Sequence, residues 1–199
     1  MAINNFGVCP TGCNETLDLP VLDVDQNCTD YDTYESQLTD LWIKPRTASE
    51  TPFSGYGSGI ISATMPVANP QAIDNANTDN TKVKWLVGKG GVPVAEKAVR
   101  ELPKFRDKTT KRTYTLTYTV DNLSDAQYNF GVALQCGGTD FTFWYGTTNH
   151  VFGPEEGLSP KSVDVDFPHG EGRQDIDTMI ITLVFEAKTD PPRRNNPYS

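Results

Sequence analysis

Residues 112–120 read Arg-Thr-Tyr-Thr-Leu-Thr-Tyr-Thr-Val. Tyr114, Leu116, Tyr118 and Val120 alternate strictly with Thr113, Thr115, Thr117 and Thr119. Successive side chains of a strand point to opposite faces, so this spacing puts the large side chains on one face and the threonines on the other. It predicts a half-buried antiparallel strand with one polar face. A helix is predicted next, over 124–135. Ser124 and Gln127 have the spacing of a capping box, and Asp125 lies in the first turn, where the helix dipole favours an acid. Ala126, Phe130, Ala133 and Leu134 fall at i, i+4, i+7 and i+8, a single apolar stripe. Gly137-Gly138 ends the helix. A helix this short needs a sheet to lie on.

Beyond it, Phe141-Thr142-Phe143-Trp144-Tyr145 predicts an aromatic strand with Phe141, Phe143 and Tyr145 on one face. His150-Val151-Phe152 returns as a hairpin arm. Ser162 to Phe167 alternates again, with Val163, Val165 and Phe167 inward. Met179 to Phe185 is apolar on both faces and reads as the central strand. Upstream, Leu38–Ile43 and Ile60–Met65 are short strand candidates, 66–81 a polar loop, and Lys82–Val87 a strand. Gly88-Lys89-Gly90-Gly91 reads as a turn, and 88–111 as a long basic loop. The whole predicts a mainly β fold, a β-sandwich or open barrel with one packed helix and turn signals about every ten residues. Its body spans 56–190, preceded by an extended arm, 1–55, with one strand. A Pro-rich tail, 191–199, is expected to be loose or bound to a partner.

The 199 residues suffice for one sizeable core. Apolar residues make up 37%, short of the usual globular share, yet the 10% of aromatics is too many for wholesale disorder. The net charge of −9 argues against a protein that wraps nucleic acid. No apolar run is long enough to span a membrane, and the opening Met-Ala-Ile-Asn-Asn-Phe-Gly does not read as a secretory signal. The charge is uneven. Residues 1–50 carry nine acids and two bases, residues 82–112 ten bases and three acids, and residues 164–190 seven acids and two bases. Complementary patches on one chain suit head-to-tail assembly, in which two different surfaces meet.

Residues with reactive chemistry are few. Cys9, Cys13 and Cys28 lie near the start and Cys136 far from them. One Cys-x-x-x-Cys without a second pair is weak for zinc. Free thiols are the simpler reading, ahead of a disulfide from Cys9 or Cys13 to Cys28. The sequons at Asn27 and Asn122 read as chance matches. Asp23-x-Asp25-x-Asn27 opens like a calcium loop, but Cys28 stands where glycine is needed and Tyr34 where glutamate is. Gly88–Gly91 lacks the rest of a phosphate-binding loop. His150 and His169 are the only histidines, and Cys136 with His150 is a bare minimum for a nucleophile and base. Asp164/Asp166 and Asp175/Asp177 are paired acids that read as solvated faces rather than a glycosidase pair. Tyr56, Trp85 and Trp144 could stack on sugars, although core or interface suits them better. No catalytic residue, metal ligand or cofactor site stands out.

From 112 to 190 the order of strand and turn types resembles the tail-tube class of tailed-bacteriophage structural proteins, especially those of phages infecting Bacteroidetes. The resemblance rests on strand Tyr114–Val120, the helix, Phe141-Thr142-Phe143-Trp144-Tyr145-Gly146, the Val151-Phe152-Gly153 to Gly157 loop and the segment Asp177–Lys188. The opening Cys9-Pro-Thr-Gly-Cys13 is similar as well. It implies a virion protein, non-enzymatic, that forms hexameric rings of identical subunits, contacts adjacent tail or neck proteins, and lets phage DNA pass without specific binding. The long N-terminal arm and the strongly basic 82–112 region depart from a minimal tube protein. They fit a neck ring, baseplate hub or head-surface protein as well, and a glycan- or receptor-binding virion module is the alternative of a different kind.

Overall fold

The computed structural model describes residues 37–54, 67–77, 80–102, 106–121, 124–168 and 177–198. The chain order is β1 (Gln37–Pro45), β2 (Phe53–Ser54), β3 (Val67–Ala68), β4 (Lys84–Gly91), β5 (Ala95–Leu102), β6 (Arg106–Asp121), α1 (Asp125–Gly137), β7 (Phe141–Gly146), β8 (His150–Phe152), β9 (Pro160–Asp166), β10 (Thr178–Ala187) and β11 (Arg193–Asn195). Eight strands follow the order β11-β8-β7-β1-β4-β6-β10-β9, all antiparallel, and β5 joins the same sheet by pairing with β6. The mainly β reading with one helix holds, in its open-barrel form: the sheet curls into a half-barrel.

Aromatic contacts show why it curls. Phe143 on β7 and Phe185 on β10 have ring centroids 5.5 Å apart, and Tyr145 lies 6.2 Å from Phe185. Three strands separate β7 from β10, which in a flat sheet would put them about 19 Å apart. Only a curled sheet brings these rings together. Phe143 also exchanges two backbone hydrogen bonds with Leu158, at 2.9 and 2.8 Å, drawing the start of β9 toward β7. The alternation of β6 places Tyr114, Leu116, Tyr118 and Val120 inside, against Met179, Ile181, Leu183 and Phe185 of β10. On β10 the intervening residues are half-exposed, and the strand lies second from the β9 edge rather than at the centre.

The capping box forms as expected. The Gln127 N–H donates to Ser124 Oγ at 3.3 Å, and the Ser124 N–H to Gln127 Oε1 at 2.8 Å. The buried stripe differs from the expected one. Ala126 and Ala133 are exposed, while Gly131 and Leu134 are buried and Phe130 half-buried. A Cβ at Gly131 would lie 2.7 Å from both Met179 Sδ and the Phe167 ring, so glycine lets the helix sink onto β10.

A second core, on the other face of the sheet, was not anticipated. Trp42, Phe53, Ala72, Val83, Trp144 and Val151 are buried there, with Ile73, Trp85 and Tyr198 against them. Trp42 and Trp144 come from β1 and β7, whose opposite faces feed the first core, so these strands are buried on both sides. The 66–81 stretch is largely loop, as expected, but it supplies part of this cover: β3, a 3-10 turn at Pro70–Ala72, and the buried Ala72. Lys84 Nζ fixes the following loop by donating to the carbonyls of Asp74 (2.8 Å), Asn75 (3.3 Å) and Asn77 (2.5 Å).

The Pro-rich tail corrects another expectation. It is strapped to its own body: β11 pairs with β8, and Tyr198 reaches into the second core. The Tyr198 hydroxyl donates to Pro52 O at 2.7 Å and accepts from the Asn69 N–H at 3.0 Å, with its ring 5.5–5.9 Å from those of Trp85, Phe53 and Trp42. Tyr198→Ala should cost about 2 kcal/mol, and Tyr198→Phe about 1, because the latter loses only the hydroxyl's bonds. Urea unfolding measures both. Wild-type stability in Tyr198→Ala would mean that the tail is not docked.

Candidate functional surface

The stretch read as a basic loop is instead a β-ribbon. β4 runs through Gly91 with no turn at Gly88–Gly91, and β5 then follows along the same side of β6. β6 is sixteen residues long, but β10 pairs with it only from Arg112 onward. From Arg106 to Lys111 its partner among the described residues is β5 alone. Six residues of strand therefore leave the body as a two-stranded ribbon about 20 Å long. A one-residue bulge at Thr110 interrupts it. Residues 95–112 hold seven bases and three acids. Among the described residues, Val94 just before β5 and Val99 within it stand in solvent, at 86% and 55% exposure.

The register matters electrostatically. Lys97 lies opposite Arg112, Arg100 opposite Lys108, and Glu101 opposite Asp107. Like charges directly across a ladder destabilise it. A two-stranded ribbon is marginal on its own as well. At the base of the ribbon the Lys97–Arg112 pair is offset by Asp190, which holds the Arg112 guanidinium.

Its base is firmly anchored. Glu186 on β10 is 1% exposed and receives Lys111 Nζ of β6 at 2.7 Å and Lys161 Nζ of β9. The hydrogen bonds from the two lysines hold its carboxyl below the usual range, against the opposing effect of burial. Asp190 receives both the Arg112 guanidinium and the Tyr114 hydroxyl. Burial raises its pKa, but the hydrogen bonds from Arg112 and Tyr114 outweigh that, and the net shift is downward. Burial, and then the hydrogen bond to Asp190, push Tyr114 up to about 12.

A carboxylate with a lowered folded pKa adds stability above its unfolded pKa and loses it as pH falls through the folded value. Glu186 and Asp190 should therefore make the protein acid-labile below about pH 4. Glu186→Gln should flatten part of that acid limb and cost on the order of 1–2 kcal/mol at neutral pH. Denaturant unfolding across pH measures this, and an unchanged acid limb in the variant would refute the assignment.

The opposite pole of the same strands is acidic. Asp121 ends β6, Asp125 opens α1, Asp166 ends β9 and Asp177 precedes β10, all of them exposed. Lys89 reaches Asp121 at 3.0 Å. Asp164, midway along β9, is exposed too. The solvated reading of Asp164, Asp166 and Asp177 agrees with this placement.

The residues weighed for chemistry do not converge. Cys136 is exposed in the last turn of α1, just before β7, whereas His150 lies beyond the far end of that strand, about 17 Å on. Trp144 is fully buried, with its Nε1–H donating to Pro154 O at 2.7 Å, so it offers no face to a sugar. Trp85 stacks on Trp42 and donates to Asp40 Oδ1 at 2.8 Å. Cys9, Cys13, Cys28, Asp23, Asp25, Asn27, Tyr56, the Ile60–Met65 strand, the Asn122 sequon, His169 and Asp175 lie outside the described residues.

Hollows among the described residues offer no catalytic site either. One of about 370 Å³ has Trp85, Leu86, Val120 and Phe130 in its lining, and at its rim Lys84 is already committed to loop carbonyls. Another, about 430 Å³, includes Arg46 and Lys161, which are ion-paired to Asp140 and Glu186. Neither brings a nucleophile to a base. Among the described residues no cluster of three or more His, Cys, Asp or Glu could hold a metal ion. No helix among them is long and apolar enough to cross a membrane. In comparisons with known proteins, no family model matches the chain, and no curated protein or solved structure does either.

Proposed function

We propose that this chain is a non-enzymatic structural protein of a tailed-phage virion, forming rings of the tail tube, or of the neck or tail end, around a DNA channel. The observation that carries this reading is the basic β5–β6 ribbon, which leaves a well-packed body that has no use for it. The interior of the half-barrel is filled by aromatic and aliphatic side chains, so the chain's distinctive chemistry is on its outside. A net charge of −9 suits a wall past which DNA slides without sticking. Identical subunits, in hexameric rings, and adjacent tail or neck proteins are the partners. Negative-stain microscopy of the purified protein at high concentration tests the proposal. Rings or tubes are expected, and monomers alone would overturn it.

A further inference from the structure

The geometry points to a binding pocket for a small amphipathic anion, an apolar body ending in a carboxylate, in the hollow of about 370 Å³ between α1 and β4. This site is independent of assembly. The hollow exists because of where the helix sits. α1 packs on β9 and β10, with Gly131 against Met179 and Phe167. β6 separates β10 from β4, so among the described residues the inner face stays open at Val120 of β6 and Leu86 of β4. Leu86, Val120 and Phe130 form the apolar part of the lining. The volume lies in the range of small-ligand pockets.

The polar groups at the hollow are of one kind. No Asp or Glu lines it, although the chain holds 26 acids against 17 bases. Gln127 Oε1 accepts the Ser124 N–H at 2.8 Å. That bond fixes the orientation of the amide and leaves its Nε2 hydrogens without a partner among the described residues. Asn75 turns to the Trp85 backbone: its Nδ2 donates to Trp85 O at 2.9 Å, and its Oδ1 accepts the Trp85 N–H at 2.8 Å. Lys84 gives its ammonium hydrogens to the carbonyls of Asp74, Asn75 and Asn77. Those carbonyls take up its hydrogens, but they carry no charge to match its own. Asp74 attracts the ammonium, yet burial outweighs that attraction and the Lys84 pKa is lowered. The Asp74 carboxylate itself accepts the Ala76 N–H at 2.9 Å and is not part of the lining. The rim thus sets one positive charge and amide donors over an apolar floor. A carboxylate head on an apolar body complements both, whereas a cationic head is repelled.

Titration calorimetry of the full-length protein with octanoate, octan-1-ol and octyltrimethylammonium separates the head from the tail. Octanoate is expected to bind one to one, on the order of ten-fold more tightly than either of the others. That comparison needs no variant. Ala126→Trp puts an indole over the hollow from an exposed helix position and should abolish binding. Gln127→Glu keeps the capping box, because glutamate serves there as well, but sets an acid at the rim. It should weaken octanoate by on the order of ten-fold and strengthen the ammonium ligand. Both positions lie outside the two cores, and thermal unfolding reports that each variant is folded. The inference is overturned by an absence of octanoate binding to wild type, by octanol or the ammonium ligand binding as tightly as octanoate, or by either folded variant binding octanoate as wild type does. None of these results bears on ring formation.

Discussion

Gly88→Ala is expected to destabilise the protein by about 3 kcal/mol, whereas Gly91→Ala, three residues away on the same strand, should leave stability unchanged or raise it by about 0.5 kcal/mol. A Cβ on Gly88 would lie 2.3 Å from the Thr119 carbonyl oxygen and 3.0 Å from the Tyr118 ring. On Gly90 it would meet the Thr117 carbonyl oxygen at 2.5 Å. The obstacles are backbone atoms of β6, which cannot rotate aside. β4 cannot retreat either, since β1 holds its other edge from Gln37↔Gly91 to Ile43↔Lys84. Any shift also pulls the Leu86 carbonyl (3.0 Å) and the Thr39 carbonyl (2.7 Å) away from the buried Tyr118 hydroxyl. At Gly91 an added Cβ meets nothing within 4 Å, and its backbone has no positive φ. Urea unfolding of the two variants side by side measures the difference. Equal stabilities would show that β4 and β6 do not approach so closely.

The same glycines show why part of the fold was hidden in the sequence. Glycine marks turns and close approaches alike, and only knowledge of what lies across the sheet separates the two. The Tyr114–Val120 alternation was legible because a half-buried strand writes its period directly into polarity. The capping box was legible because it is local. The helix stripe was misread because Gly131, which has no side chain to count as apolar, sits closest to β10. The ribbon reads as a loop in the sequence because, away from any core, a strand has no apolar face to reveal its period. Its charge was visible, but its pairing with β6 was not. For the second core there was a signal. Trp42 and Trp144 sit one residue out of phase with the core-facing residues of β1 and β7, so those strands had to be buried on both sides. The tail misled because its prolines suggest looseness, while Tyr198, the residue that docks it, is a single aromatic near the end.

Excising the ribbon separates assembly from folding, and its expected effect on assembly is complete. Residues 99–110 would be replaced by Asn-Gly, a two-residue turn that suits a hairpin, joining Ala98 to Lys111, which face each other across the ladder. Lys111 keeps its bond to Glu186, Arg112 and Tyr114 keep theirs to Asp190, and both hydrophobic cores are untouched. The shortened chain should therefore unfold within about 1 kcal/mol of wild type. Sedimentation velocity of the two proteins over the same concentration range decides the matter: wild type should form rings or longer assemblies while the excised chain stays monomeric, and assembly of the excised chain at wild-type concentrations would contradict the role given to the ribbon.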